Sequence, residues 1–190
     1  MTWTSRDRVL AALDHEEADR VPIDLGGTGS STIVIEAYDR LKQHLGLEHE
    51  TKLRSRLNRL ADPDPSVMNR LGVDTRAITA GFGRASGEWV DDLTFIDHFG
   101  VTFKGTVGAD DKHFLYKDGP LWGGKLTIDR IDEMEWPDPD NPAIASGVKE
   151  QVARYKAEGD YCLVLNVPDQ VIHRAYALRS MVDFLKDFYR

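Results

Sequence analysis

This chain of 190 residues has little of what several classes of protein depend on. Its one cysteine, Cys162, excludes an internal disulfide and is typical of a reducing compartment. No apolar run approaches the roughly 20 residues of a membrane-spanning helix, and the first residues lack the apolar segment of a secretory signal. These absences predict a soluble, cytoplasmic protein that does not bind membranes.

Basic residues are also in deficit. The chain has 24 Lys and Arg against 32 Asp and Glu, which gives a formal net charge of −8. General nucleic-acid binders present a basic surface, so we expect no nucleic-acid partner. Hydrophobic residues make up 41% of the chain and charged residues 29%, which is typical of a globular domain with its own core.

The N-terminal third has the pattern of an α/β fold. Ser5 precedes an amphipathic helix over Arg6–Leu13, and a short extended run follows at Ile23–Leu25. A glycine-rich turn, Gly26–Ser31, then leads into a second helix from about Thr32 to Leu45. Strand, turn and helix in this order form the first unit of an α/β protein.

The rest of the chain mixes two patterns. Short alternating runs between about residues 89 and 121 predict an antiparallel excursion of two or three strands. Val73–Thr79 and the apolar run Tyr161–Asn166 predict parallel strands, the latter covered on both faces. A helix from Asn141 to Gly159 precedes that run, and another helix is expected to begin at Pro168.

The last twelve residues predict an amphipathic helix that Ser180 caps. Phe184, Leu185 and Phe188 share one face of this helix, and no glycine, proline or polar tail follows to end it. At most three buried strands suit a parallel sheet, whereas a (β/α)₈ barrel needs eight strands and about 250 residues. We therefore expect the N-terminal part of a larger protein, with an exposed apolar surface that causes self-association or aggregation.

Ligands of α/β proteins bind where parallel strands end, and five residues are candidates for such a site. Thr28 and Ser30 lie in the glycine-rich turn, Asn166 ends the apolar strand, and His173 falls in the first turns of the next helix. Arg76 interrupts a strand, so its charge must be paired or face an anionic ligand. We predict that these five residues bind substrate.

Each candidate also has a structural explanation that the sequence leaves open. A glycine-rich turn needs only residues that tolerate positive φ, and Asn166 can hydrogen-bond its own loop. Lone histidines such as His173 are more often solvated or structural than catalytic. The six histidines and Cys162 have no metal-ligand spacing, so neither a metal ligand nor a catalytic residue is identified.

Six segments, in order along almost the whole chain, resemble the uroporphyrinogen decarboxylase superfamily. They are Ser5–Glu16, Asp19–Pro22, Arg70–Asp74, Asp97–Val101, Trp136–Pro139 and Leu178–Met181. Each segment is weak alone, and their ordered series carries the resemblance. It implies a (β/α)₈ barrel in which residues 1–190 are a single incomplete domain, roughly the first half.

The decarboxylases of this superfamily carry an Arg-Gln-Ala-Gly-Arg segment after their first strand. When this chain is aligned on that pattern, Gly27 and Ser31 stand where the family has its two arginines, and the catalytic aspartate of the family falls near Gly81. This chain therefore lacks both arginines and the aspartate. A substrate with many carboxylates needs fixed cations, which bidentate arginines supply. Uroporphyrinogen decarboxylation in porphyrin biosynthesis is therefore the weaker alternative.

The chain is more similar to the corrinoid-dependent methyltransferase branch. That likeness implies methyl transfer between a small substrate or thiol and a corrinoid carried by a partner protein, and several members use zinc. The zinc ligands of the family lie in the second half of the barrel, and Cys162 lacks a His two residues before it. We expect this segment alone to bind no cofactor and to be inactive; a third alternative is a non-catalytic or truncated product.

Overall fold

The computed structural model describes residues 2–80, 87–107, 112–166 and 171–189. They divide into two compact units, one of residues 1–81 and 145–167 and the other of residues 82–144 and 168–190. The elements are, in chain order, α1 (Ser5–Leu13), α2 (Ile35–Leu45), β1 (Lys52–Ser55), β2 (Leu60–Asp62), α3 (Pro65–Arg70), β3 (Thr75–Thr79), β4 (Gly87–Asp91), β5 (Thr94–Asp97), β6 (Thr102–Val107), β7 (Lys112–Asp118), α4 (Ile128–Asp132), a 3₁₀ turn (Pro142–Ala145), α5 (Val148–Glu158), β8 (Cys162–Asn166), α6 (Val171–Arg179) and α7 (Met181–Asp187).

The first helix starts one residue before its predicted start. Thr4 is the N-cap, because its hydroxyl accepts a hydrogen bond from the Asp7 N–H at 3.1 Å. The Asp7 carboxylate in turn accepts from the Thr4 N–H at 3.2 Å, which completes a capping box. Ser5 is therefore the first helical residue and not the cap.

The second helix starts at Ile35, three residues later than predicted. The chain before it is extended, because the Ala61 N–H donates to the Ile33 carbonyl and the Ile35 N–H donates to the Arg59 carbonyl. These bonds attach it to the antiparallel hairpin of β1 and β2. Tyr38, Ala61 and Val67 form the buried centre of this region.

Strands β3 and β8 pair in parallel, as their apolar runs predict. Thr75 lies opposite Cys162, and Thr79 lies opposite Asn166. The prediction that the second strand is covered on both faces is wrong, because none of its residues is fully buried and Leu165 is 55% exposed.

The strand predicted at Ile23–Leu25 does not form. Ile23 makes one backbone hydrogen bond to the start of the β3 region, from the Asp74 N–H to its carbonyl. Pro22 has no N–H to extend the pairing, and the Asp24 side chain turns back to accept from the Gly27 N–H at 2.9 Å. Local polar contacts thus take the place of the backbone hydrogen bonds that a strand at Ile23–Leu25 would make with β3.

The helix predicted from Asn141 to Gly159 is interrupted. Gly147 has φ of +73°, a left-handed conformation that ends the preceding 3₁₀ turn and allows α5 to begin at Val148. The helix start predicted at Pro168 lies outside the described residues, and α6 is described from Val171.

The second unit contains an antiparallel sheet ordered β4-β5-β6-β7, where two or three strands were expected. One aromatic residue from each strand lies in a row across this sheet. Trp89 is opposite Phe95, Phe95 is opposite Phe103, and Phe103 is opposite Tyr116, with neighbouring ring centroids 4.9–6.0 Å apart. Such cross-strand pairs stabilise a sheet.

The C-terminal helix is separated from the helix before it by a break at Ser180. Ser180 caps α7 as predicted, because its hydroxyl accepts from the Asp183 N–H at 3.1 Å. Its positive φ of 67° separates α7 from α6, which ends at the buried Arg179. Phe188 is 72% exposed, so the predicted apolar face is present on this unit.

The sheets seen in the described ranges are small and open, and none of them closes into a barrel. The (β/α)₈ barrel therefore stays a prediction. Within those same ranges, none of the helices has the length and apolar character that crossing a membrane requires.

Candidate functional site

The parallel strands of the first unit end side by side, where α/β proteins place their ligands. Thr79 and Asn166 are the last residues of β3 and β8 and lie opposite each other. Asn166 is partly buried, so its amide remains able to contact a ligand. This carboxyl edge is the candidate site of the first unit.

Gln151 of α5 fixes the end of β3. Its Oε1 accepts from the Thr79 N–H at 3.0 Å, and its Nε2 donates to the Thr79 carbonyl at 2.9 Å. Nε2 also donates to the Gly147 carbonyl at 3.1 Å. A side-chain amide thus makes the two hydrogen bonds that a neighbouring strand would make. Sequence reasoning missed this residue, because a Gln on a helix gives no signal of a distant strand partner.

The opposite, amino end of β3 holds a cluster of charges. Asp74 is fully buried and accepts from Arg20 Nη1 and Nη2, at 2.6 and 2.8 Å, and from the Ile23 N–H at 2.8 Å. Arg8 Nη1 lies 3.4 Å from the same carboxylate, and the Arg8 Nε binds Asp19 at 2.6 Å. Burial alone would raise the pKa of Asp74, but the hydrogen bonds from Arg20 and Ile23 hold it below its usual value.

This cluster joins three of the segments that carry the family resemblance. Arg8 comes from Ser5–Glu16, Arg20 from Asp19–Pro22 and Asp74 from Arg70–Asp74. In α/β barrels, residues at the amino ends of strands support stability, whereas catalysis occurs at the carboxyl ends. In this structure the cluster attaches Arg20 and Ile23 to Asp74 at the start of β3.

The glycine-rich turn satisfies most of its own N–H groups. The Thr28 N–H donates to the Ser31 hydroxyl at 2.9 Å, and the Thr28 hydroxyl accepts from the N–H groups of Ser30 and Ser31, each at 3.2 Å. The Gly26 N–H donates to the Ser31 carbonyl at 2.9 Å. The turn therefore does not need a bound anion to satisfy these N–H groups. Of its two predicted substrate-binding residues, Ser30 is the exposed one.

The guanidinium of Arg54, a residue of β1, binds backbone carbonyls of the glycine-rich turn. Arg54 Nη1 donates to the carbonyls of Gly26 and Thr28, at 2.6 and 3.0 Å. Its Nη2 donates to Asp62 at 2.9 Å. Because the Arg54 guanidinium already binds two carbonyls of the turn and the Asp62 carboxylate, it stabilises the turn rather than binding a ligand.

Arg76 lies in the interior with 1% exposure. Its Nη2 donates to Asn69 Oδ1 at 2.7 Å, and its Nη1 donates to the carbonyls of Thr75 and Val73, at 2.7 and 3.1 Å. The guanidinium also lies 3.6 Å from the centre of the Tyr161 ring. The guanidinium is thus held by neutral oxygens and an aromatic ring, while its Nε is buried without a hydrogen-bond partner among the described residues.

The fifth candidate, His173, belongs to the second unit, whereas Thr28, Ser30, Arg76 and Asn166 belong to the first. His173 lies on α6, and its ring is 4.9 Å from that of Tyr176 in an edge-on arrangement. It is partly buried beside the aromatic row of the antiparallel sheet.

The second unit also contains an open cavity of about 430 Å³. Its walls come from the turn after β5, from Pro120 just after β7, and from α4 and the segment that follows α4. They are formed by His98, Phe99, Gly100, Pro120, Arg130, Glu133, Met134 and Glu135. Sequence reasoning did not single out this cavity, because its residues lie in separate turns and loops.

Zinc was implied by the resemblance, and the described residues do not offer it a site. No group of three His, Cys, Asp or Glu side chains in those ranges is arranged to hold a metal ion. Burial raises the pKa of the Cys162 thiol, which disfavours the thiolate form that a zinc ligand requires.

Comparison of the chain with known proteins produced no match to a protein-family model, a curated protein or a solved structure.

Proposed function

We propose that this chain contributes part of a barrel of the uroporphyrinogen decarboxylase type that performs methyl transfer. The methyl group would pass between a small substrate or thiol and a corrinoid on a partner protein. The observation that carries the proposal is the Arg8–Arg20–Asp74 cluster, because it unites three segments that resemble the superfamily. The cluster lies at the amino end of a parallel strand, where such a barrel requires support.

The carboxyl edge of β3 and β8 is the proposed substrate mouth. Asn166 is its best-placed residue, because an amide both donates and accepts hydrogen bonds and can orient an uncharged substrate. Gln151 acts as a positioning residue, since it fixes the backbone of Thr79 beside Asn166. Thr28 and Ser30 stay predictions for this mouth, and His173 stays a substrate-binding prediction in the second unit.

Arg76 has a different role in this proposal. Its donors reach Asn69 and two backbone carbonyls, so the guanidinium supports the β3 strand rather than substrate. Zinc has no part in this proposal, because the described residues do not form a site for it. A corrinoid would carry the methyl group, and the residues of this chain would bind and orient the small molecule that exchanges the methyl group with it.

Decarboxylation of uroporphyrinogen is the weaker alternative. The positions of the two family arginines are Gly27 and Ser31, and a side chain at Gly27 would overlap the Asp24 carboxylate. The nearby Arg54 is bound to Gly26, Thr28 and Asp62. A substrate with many carboxylates therefore finds few available cations in this turn.

The test uses the full chain together with a separately expressed C-terminal half of a related barrel. With methylcobalamin and a small thiol, we expect the absorbance of methylcobalamin to decay as the two react to give the methyl thioether, cob(I)alamin and a proton. Asn166→Ala should lower the rate of methylcobalamin demethylation about tenfold, because the loss of a hydrogen bond that orients the substrate costs about 1 kcal/mol or more. Asn58→Ala, in the exposed hairpin turn, is the matched control and should not change the rate.

Failure of the assembled complex to demethylate methylcobalamin with any thiol or small methyl acceptor would overturn the proposal. Consumption of uroporphyrinogen by the same complex would establish the decarboxylase alternative instead.

A further inference from the structure

The open cavity of the second unit lies outside the site proposed above and does not depend on it. We propose that this cavity binds a small organic cation with a short apolar arm, such as an alkylammonium ion. Its volume of about 430 Å³ lies within the range of ligand pockets, which is roughly 300–1,000 Å³.

One wall is a rigid turn. The Asp97 carboxylate is 3% exposed and accepts from the N–H groups of Phe99 and Val101, at 2.9 and 3.0 Å. Arg174 Nη1 donates to the same carboxylate at 2.6 Å. The left-handed conformation of Gly100, with φ of +77°, closes the turn. His98 and Phe99 are thus presented by backbone whose shape does not depend on a ligand.

The Phe99 ring is fixed as well as its backbone. The Arg174 guanidinium lies 3.9 Å from the centre of the ring. The Trp136 ring meets Phe99 edge-on, with the two centroids 6.5 Å apart. Because these contacts come from the protein itself, a ligand binds without the cost of ordering the Phe99 ring.

The opposite wall is held by Arg130. Its Nη1 donates to the carbonyls of Gly123 and Lys125, at 2.8 and 3.2 Å, and its Nη2 donates to the Trp122 carbonyl at 3.3 Å. The Trp136 indole N–H donates to the Ile131 carbonyl at 3.0 Å, which ties down the segment that follows α4. The Arg130 guanidinium is therefore committed to backbone oxygens.

The charge left on the cavity wall is negative. The exposed carboxylates of Glu133 and Glu135 make no hydrogen bond or ion pair in the described part of the chain, and these two negative charges exceed the one positive charge of the Arg130 guanidinium. Two carboxylates at one opening attract cations and repel anions. Phe99, Pro120 and Met134 add apolar surface for a short hydrocarbon arm. Together these features select an amphipathic cation over an anion or a neutral molecule.

The test is a titration of the ¹⁵N-labelled full chain with n-butylammonium chloride, followed by ¹H–¹⁵N correlation spectra at low salt. We expect saturable shifts at the amides of residues 98–100 and 130–135. The neutral probe n-butanol and the anion n-butyrate, which have similar arms, should not produce them. If self-association broadens the spectra, saturation-transfer difference signals from the three probes provide the same comparison.

The double variant Glu133→Gln and Glu135→Gln should weaken binding of n-butylammonium about tenfold, since two partly exposed charge contacts are lost. Asp132→Asn, which changes an exposed carboxylate of α4 that does not line the cavity, should alter the dissociation constant less than about twofold. Equal shifts from n-butanol, stronger binding of butyrate, or no difference between the Gln variant and the parent would each overturn the proposal.

Discussion

Arg20 and Asp74, which are 54 residues apart in the chain, form an ion pair through two hydrogen bonds. The distances are 2.6 Å from Nη1 to Oδ2 and 2.8 Å from Nη2 to Oδ1. The Asp74 side chain is fully buried, whereas that of Arg20 is 38% exposed. The pair attaches the segment before the glycine-rich turn to the start of β3, so it connects two regions that share little other regular structure.

The variant Asp74→Asn tests this connection. It keeps the shape of the side chain but removes the charge that two arginines and the Ile23 N–H bind. We expect the free energy of unfolding in urea to fall by about 2–3 kcal/mol, less than a fully buried pair would lose because Arg20 is partly solvated.

The control is Asp19→Asn. This carboxylate is 41% exposed and pairs with Arg8, so its loss should lower the free energy of unfolding far less than the loss of Asp74 does. Equal effects of the two variants would contradict the structural role of Asp74.

The stability of the chain should also depend on the charge of Asp74 as pH changes. The folded protein holds the pKa of Asp74 below the unfolded value of about 3.9, so the unfolded chain binds the proton more readily. This contribution is fully present above about pH 4 and is lost as the pH falls through the folded pKa. Urea unfolding between pH 3 and 7 should show the difference between the parent and Asp74→Asn narrowing at the acidic end. A constant difference across that range would be inconsistent with the lowered pKa.

Tyr38→Phe probes the centre of the first unit. The Tyr38 hydroxyl is fully buried, donates to Asp64 Oδ2 at 2.9 Å and accepts from the Asp64 N–H at 2.7 Å. Burial raises the pKa of this hydroxyl, so it stays protonated and able to donate. Removing it leaves a backbone N–H without its partner and should cost about 1–2 kcal/mol in thermal or urea unfolding. Tyr189→Phe, at a residue that is 92% exposed, should cost nothing measurable.

Arg76→Lys tests whether this residue serves the strand. A lysine has one charged nitrogen and cannot reproduce the fork that binds Asn69 and two carbonyls, nor its stacking on Tyr161. We expect a loss of about 2 kcal/mol in the free energy of unfolding. If the lysine variant is as stable as the parent but binds substrate more weakly in the assembled complex, Arg76 is a ligand contact after all.

Local patterns predicted several elements well. The apolar run before Asn166 indicated a parallel strand, and Ser180 followed by a hydrophobic stripe indicated a capped helix. Both signals lie within one element, so the residues themselves specify them. The hairpin of β1 and β2 was not predicted, because its strands are short and lie in a polar, basic stretch that gives no clear periodicity.

The candidate site was harder to predict, since its contacts depend on tertiary structure. The carboxyl edge was anticipated at Asn166, but its partner Thr79 and the amide of Gln151 come from other parts of the chain. Arg76 was recognised as a charge in need of a partner, yet its sequence neighbours did not reveal that Asn69 and Tyr161 provide one. The cavity beside Phe99 has no sequence signature at all.

The most direct test of the central claim is size-exclusion chromatography with light scattering on the purified chain, with and without the C-terminal half of a related barrel. We expect a one-to-one complex in the mixture and self-association or aggregation of the chain alone, because α7 and β8 leave apolar residues exposed. A monodisperse monomer that unfolds cooperatively and ignores the second half would contradict it, and the barrel proposal and its methyl-transfer chemistry would then be abandoned.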